Sequence, residues 1–497
     1  MTSLFPPDLT LFSVLIAAFI IIGFCLLHSP ERIPTINDYR WDFCLRKAHA
    51  SYLQDAQNLI AEGVAKYDGP FRIITTIGSR VILPARYTNW VKNCSDLDHA
   101  QFVADEYFAR YPGFEANAIV VDPSQTMIQV TKTKLNQKSQ CQIFEEHLNE
   151  LLEDEWSSEH DWKTIDWNKD APRLVGRMSA AVFVGPDLAR NSDWQKLILN
   201  YTFNLFNGVR ALRTWPAFLR PVVHWFLPEC KVCRQQLRVA RGLLHSTFMN
   251  RKLAKRSALA EGGEAETYAD TISWMEEQAA GRPFDPAAAQ LAFAISALHT
   301  TTELLKQVLL DICMHPELIQ PLRMEITAVL AEERWTTAGV FKMRLLDSVI
   351  KETQRLKPGS LVNLERKALR DIVMPNKTLL PKGTNIAVDT SNMWSSEIYE
   401  NPDTYDGHRF LKLRQNGGPR SNAAQLVSGD ENHIAFGLGR SICPGRFMVA
   451  NEIKVAIASI LLKYDVRLTV RKNPQVIHYG FEMLADPKAK LEVRRRQ

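Results

Sequence analysis

Phe436-Gly437-Leu438-Gly439-Arg440-Ser441-Ile442-Cys443-Pro444-Gly445 reads F-G-x-G-R-x-x-C-P-G and runs straight into a helix-prone stretch, Arg446 to Leu462. The glycines Gly437 and Gly439 permit tight backbone turns that other residues resist. Cys443 therefore sits at the end of a compact loop, just ahead of a helix N-terminus. The free N–H groups and dipole of that terminus favour a thiolate.

A buried thiolate also needs a cation, and a ferric haem supplies one. Arg440 precedes the cysteine by less than one helical turn and can reach a haem propionate in a charge-assisted bond. Two further stretches carry chemistry. Glu352-Thr353-Gln354-Arg355 falls in a helical run from about Phe341 to Leu356 that Pro358 stops. Leu345, Val349, Glu352 and Leu356 share one face of it, so the Glu352 carboxylate points among apolar residues and needs a charged partner. Asp285 to His315 predicts a long helix, with Asp285 as cap, Pro286 in the first turn and His315-Pro316 at its end. Ser296-Ala297-Leu298-His299-Thr300-Thr301 lies at its middle. A threonine there can bond the carbonyl four residues back and loosen the helix.

These segments resemble the cytochrome P-450 superfamily, and the resemblance runs from the N-terminal apolar run to the C-terminus. It implies a mainly α fold with a smaller β portion. It implies that Cys443 ligates the iron of haem b. Phe436 packs beside the ligand loop, and Gly437, Gly439 and Arg440 belong to the cofactor site. Glu352 and Arg355 resemble the K-helix pair whose third member is an arginine, here Arg409 in Tyr405-Asp406-Gly407-His408-Arg409-Phe410. Gly407 and His408 replace the commoner Pro and Glu. The mid-helix stretch resembles A-G-x-(acid)-T-T, so Thr300 would serve bound dioxygen and His299, standing where an acid is usual, would assist proton delivery. Arg366 matches the position of a second propionate partner. The family's Trp-x-x-x-Arg helix is missing between Gln125 and Glu150, where Lys132, Lys134 and Lys138 are the available cations.

His299-Thr300-Thr301-Thr302 and Asp486-Pro487-Lys488 are similar to the fungal ent-kaurene-oxidase-like group. That likeness implies oxidation of an apolar small molecule, terpenoid or meroterpenoid, in secondary metabolism. Dioxygen and electrons from NADPH, passed on by a cytochrome P-450 reductase, would drive it. A haem-thiolate isomerase or dehydratase, or a haem-binding protein without oxygen insertion, is the alternative. A zinc hydrolase on His299 and Glu303 lacks further ligands.

Composition agrees. The chain has 497 residues, 46% hydrophobic and 23% charged, with a formal net charge of +5, which argues against disorder and against nucleic-acid binding. Eight cysteines are too sparse for a secreted disulfide scaffold. Cys230 and Cys233 read as thiols on adjacent helical turns. Leu9–Leu27 carries no charge and would span about 28 Å as a helix. Arg32, Arg40, Arg46 and Lys47 follow it, so the C-terminal side is expected to stay cytoplasmic. The expected organisation is a short tail (1–8), a single transmembrane anchor (9–27), a linker (28–40) and one haem-thiolate domain (41–497), held at the endoplasmic reticulum. Between Tyr201 and Cys230, Phe203, Phe206, Trp215, Phe218, Trp225 and Phe226 alternate with arginines, a mixture that suits a membrane interface or, equally, a core face with a basic outer side. Short strands turned at Gly78-Ser79 are expected over 71–83, and a polar loop over Ser257–Glu266.

Overall fold

A computed structural model describes residues 33–156, 160–262, 267–418, 420–469 and 474–497. The apolar run Leu9–Leu27 lies outside the described residues. Among those described, no helix is long and apolar enough to cross a membrane.

Helices make up most of the body. The ones used below are α1 (Arg46–Lys66), α2 (Thr126–Thr133), α3 (Gln140–Trp156), α4 (Trp167–Phe183), α5 (Ser192–Arg213), α6 (Pro228–Ala260), α7 (Pro286–Met314), α8 (Ile319–Glu333), α9 (Arg344–Leu356) and α10 (Arg446–Lys463). Helix α7 is the axis of the molecule. It starts as its sequence predicts: the Asp285 carboxylate accepts from the Ala287 and Ala288 N–H groups, and Pro286 occupies the first turn. It is apolar on most of its circumference, from Ala287 to Ile312, and packs against α4, α5, α6, α9 and α10. Helix α10 is likewise buried from Ala450 to Leu461. One large core joins these helices, and smaller clusters lie under the sheet.

The main sheet has the order β1-β2-β8-β5-β3, built from β1 (Phe71–Thr75), β2 (Gly78–Leu83), β3 (Leu97–Asp98), β5 (Val362–Ala368) and β8 (Asn385–Asp389). Strand β4 (Lys163–Ile165) joins β12 (Leu491–Arg495) and β9 (Tyr464–Leu468) in a second sheet. Two hairpins complete the β portion, β6 (Ile372–Val373) with β7 (Leu379–Leu380), and β10 (Ile477–Tyr479) with β11 (Glu482–Leu484). The register of β5 against β8 shifts between Asn363 and Arg366, where Leu364 has φ +53°. Such a bulge breaks the alternation of faces along a strand. The consecutive residues Glu365 and Arg366 both line one cavity as a result.

Three local expectations change. The β1–β2 turn falls at Thr76-Ile77, because Thr75 pairs with Gly78 across the hairpin. The run from Phe341 is interrupted at Met343, so Thr337–Lys342 and α9 are separate helices. Helix α6 continues through Ser257 to Ala260, since that stretch contains good helix formers and its first glycine is Gly262. Cys230 and Cys233 are free, buried thiols on α6.

Candidate active site

The Cys443 loop is closed by its own backbone. The Cys443 N–H donates to the Phe436 carbonyl at 2.8 Å, and the Gly437 N–H donates to Ile434 at 2.7 Å. Gly437 and Gly439 sit at φ +72° and +71°, a region that other residues adopt only under strain. A Cβ on Gly439 would also stand 2.7 Å from Cγ of Lys92. Asn363 on the bulged strand donates to Ala435 at 3.1 Å and ties the loop to the sheet.

Burial pushes the Cys443 thiol up, although the Gly445 and Arg446 N–H groups and the Arg446 charge pull it down. Desolvation outweighs the helix terminus, in keeping with a buried thiolate's need for a cation. A metal cation at the sulfur reverses that balance.

Cys443 opens onto a cavity of about 860 Å³. Phe436, Gly437, Arg440, Arg366, His299 and Thr300 line it too. Gly439 is not among the lining residues; its part is to let the loop pass Lys92. Arg366 is buried, and its Nη1 donates to the Glu365 carbonyl at 2.7 Å. Desolvation holds its guanidinium down at about 10; Asp98 and Glu365 oppose that shift, and Arg440 adds to it. Arg440 has no ion-pair partner among the described residues. Of the three candidate lysines, Lys132 on α2 lines the cavity, while Lys134 pairs with Glu277 at 3.2 Å and Lys138 does not reach the cavity.

Thr300 makes no i−4 bond. Ser296, one turn earlier, does bond its own i−4 carbonyl, donating to Ala292 at 2.8 Å. The Thr300 hydroxyl is left free toward the cavity. Thr301 and Thr302 are buried without a hydrogen-bond partner for either hydroxyl. The His299 ring tilts against Phe206 at 6.3 Å between centroids.

Away from the cavity, Glu352 and Arg355 are both fully buried and joined by two bonds of 2.9 Å. Arg409 Nε reaches both oxygens of Glu352, at 3.0 and 3.1 Å. The outer nitrogens of the two arginines donate to the Met393, Glu400 and Thr404 carbonyls, so the buried charges are satisfied. The departures at Gly407 and His408 do not break the triad. A Cβ on Gly407 would stand 2.9 Å from Leu318 Cδ1, and its carbonyl accepts from Ser348 at 2.7 Å, which accounts for glycine there.

A family model described as Cytochrome P450 matches residues 127–493. The chain is 39% identical over 492 residues to the monooxygenase adrA of Penicillium rubens, covering 97% of this chain and 96% of that one. It is 36% identical to the monooxygenase ptmU of Penicillium ochrochloron, covering 98% and 96%. It is 37% identical to the monooxygenase pyr3 of Aspergillus fumigatus, covering 94% and 90%. The chain belongs to the cytochrome P-450 family.

As a cytochrome P-450 monooxygenase it uses a haem bound through a cysteine thiolate, and the residues present fit that group. Cys443, with two backbone N–H groups directed at it, would supply the sulfur. Arg440, Arg366 and Lys132 bring positive charge to the same cavity, which suits the two carboxylates of a haem. Among the described residues no group of three His, Cys, Asp or Glu side chains could hold a metal ion.

Sequence reasoning missed part of this cavity. Arg80 on β2, Tyr107, and Glu482 on β11 line it, together with Glu365. They come from segments far apart in sequence, and no spacing joins them.

Proposed function

We propose that the protein is a membrane-anchored monooxygenase that hydroxylates or successively oxidises an apolar small molecule, terpenoid or meroterpenoid, in fungal secondary metabolism. The observation that carries the reading is the meeting of the Cys443 sulfur and the free Thr300 hydroxyl on the wall of one cavity. When bound, the haem activates dioxygen for insertion into a C–H bond, with electrons from NADPH through a reductase. The protein's own groups do the rest. Cys443 would hold the iron and donate electron density to it. The Thr300 hydroxyl holds a proton at the cavity surface, and His299 beside it passes protons on. Phe183, Phe293, Ala297, Val362 and Met483 form apolar wall that orients a hydrocarbon skeleton and excludes water.

The membrane part of the reading rests on Leu9–Leu27 and on an exposed aromatic surface. Phe218 and Phe226 are 79% and 70% exposed, and Phe203, Trp215 and Trp225 are exposed as well. Trp41 and Phe43, a short way past the apolar run, are also in solvent. Aromatic side chains among arginines partition to the headgroup region of a bilayer. The catalytic body would then sit on the cytoplasmic face of the endoplasmic reticulum, beside its reductase.

The test is conversion of candidate terpenoids by yeast microsomes carrying the full chain and a reductase. Product that requires NADPH and dioxygen is expected. Product formed equally well without either contradicts oxygen insertion and favours an isomerase or dehydratase. Loss of membrane association on deleting Met1 to Ser29 is expected, and a soluble mature form beginning after His28 contradicts the anchor.

A further inference from the structure

The cavity wall made by β2, β5 and the β10–β11 hairpin sets a polar cluster beside the apolar Val362 and Met483, unlike the wall near Phe183 and Phe293. Arg80 is 3% exposed, and its Nη2 donates to Glu106 Oε1 at 2.8 Å. Its Nε and Nη1 have no hydrogen-bond partner. Glu106 does not line the cavity and is otherwise taken up by Arg213 at 3.4 Å and Asn385 at 3.3 Å. Glu365 stands 3.6 Å from Arg80, beyond hydrogen-bond distance, and its side chain is 31% exposed. Neither the Glu365 nor the Glu482 carboxylate accepts a hydrogen bond from the described residues, and the Tyr107 hydroxyl is equally free. Arg80, Tyr107, Glu365 and Glu482 all line the cavity and lie close enough to perturb one another's charge.

Groups of this kind are costly to leave unserved in a protein interior. The reachable capacity is of both kinds: acceptors on Glu365 and Glu482, and the Tyr107 hydroxyl, which both donates and accepts, while Arg80 brings its positive charge beside them. An ammonium only donates and would meet the like charge of Arg80. A carboxylate only accepts and would meet two like charges. An alcohol gives and takes one bond each. We infer that Arg80, Tyr107, Glu365 and Glu482 form a subsite for a hydroxyl group on the substrate, which fixes the orientation of an otherwise apolar skeleton in the cavity. This inference rests on the monooxygenase reading and names the substrate class more narrowly: an already oxygenated hydrocarbon skeleton. A reaction that installs a hydroxyl, or that cyclises a precursor and leaves one, must then precede this step.

The test uses full-length holoenzyme in microsomes and the optical spin-state change that a ligand causes when it displaces water from the haem. The probes are a tricyclic diterpene alcohol, its methyl ether and the parent hydrocarbon. The alcohol is expected to bind at least tenfold more tightly than either analogue, because a site built for a hydroxyl rejects what lacks one. Tyr107→Phe and Glu365→Gln should each reduce that preference severalfold while hydrocarbon affinity stays level. Equal affinity for the three probes, no response to any of them, or an unchanged preference in both variants would overturn the subsite. A protein without the thiolate spectrum of the reduced carbonyl complex would instead remove the monooxygenase reading beneath it.

Discussion

Glu352 offers both carboxylate oxygens to Arg355, each bond 2.9 Å, and both residues are fully buried on α9. The same two oxygens receive Arg409 from outside the helix. Removing the carboxylate strands two guanidinium groups, one of them beyond reach of water. Breaking a buried pair in this way costs about 3–5 kcal/mol. Glu352→Ala is therefore expected to accumulate as apoprotein, read as the ratio of haem to polypeptide in purified material. Haem content equal to that of the parent would contradict a structural role for the triad.

Lys132 lines the cavity with Arg440 and Arg366, while Lys134 is held by Glu277. Lys132→Ala is expected to speed haem loss to apomyoglobin severalfold, and Lys134→Ala to leave it unchanged. The opposite ranking would mean that α2 presents the wrong cation to the cofactor.

The parts legible in sequence were those encoded locally. The Cys443 loop, the Asp285 cap and the Glu352–Arg355 pair each occupy one short window in which spacing fixes geometry. Arg409 was legible only through resemblance, since Gly407 and His408 depart from the usual pattern. Lys132 could not be chosen over Lys134 by sequence, because the choice depends on which neighbour captures each amine. The helix terminus ahead of Cys443 is visible in sequence, whereas how far desolvation opposes it is a property of the packed loop. The Arg80–Glu365 wall was invisible, since it needs the bulge at Leu364 and the meeting of β2, β5 and β11.

Glu452 on α10 is fully buried, accepts from the Ser179 hydroxyl at 2.7 Å, and is pushed up to about 8 by desolvation, which the Ser179 bond only partly offsets. The folded protein thus binds this proton more tightly than the unfolded chain does. Its contribution to stability is complete below the ordinary carboxylate range and is lost as pH rises toward and through about 8. Glu452→Gln, which mimics the neutral acid, is expected to flatten the fall of melting temperature between pH 5 and about 8, a window set by that raised value. Parallel pH profiles for parent and variant would show that Glu452 is not the group responsible.

Thr300 lines the cavity with an unbonded hydroxyl, whereas Ser296 one turn earlier is bonded back to its own helix. Thr300→Ala removes that proton source. The variant is expected to consume NADPH at a comparable rate, form severalfold less product and release the difference as hydrogen peroxide. Thr300→Ser should restore most of the coupling. Tight coupling in the alanine variant would take Thr300 out of proton delivery.

Cys443 carries the whole account, and the spectrum of the reduced carbonyl complex reports on its sulfur directly. The parent is expected to show the red-shifted Soret band of a thiolate-ligated haem. Cys443→Ala should lose it, while Cys94→Ala and Cys313→Ala keep it. Persistence of that band in Cys443→Ala, or its absence from parent protein that retains haem, would contradict the assignment of the iron ligand and the function built on it.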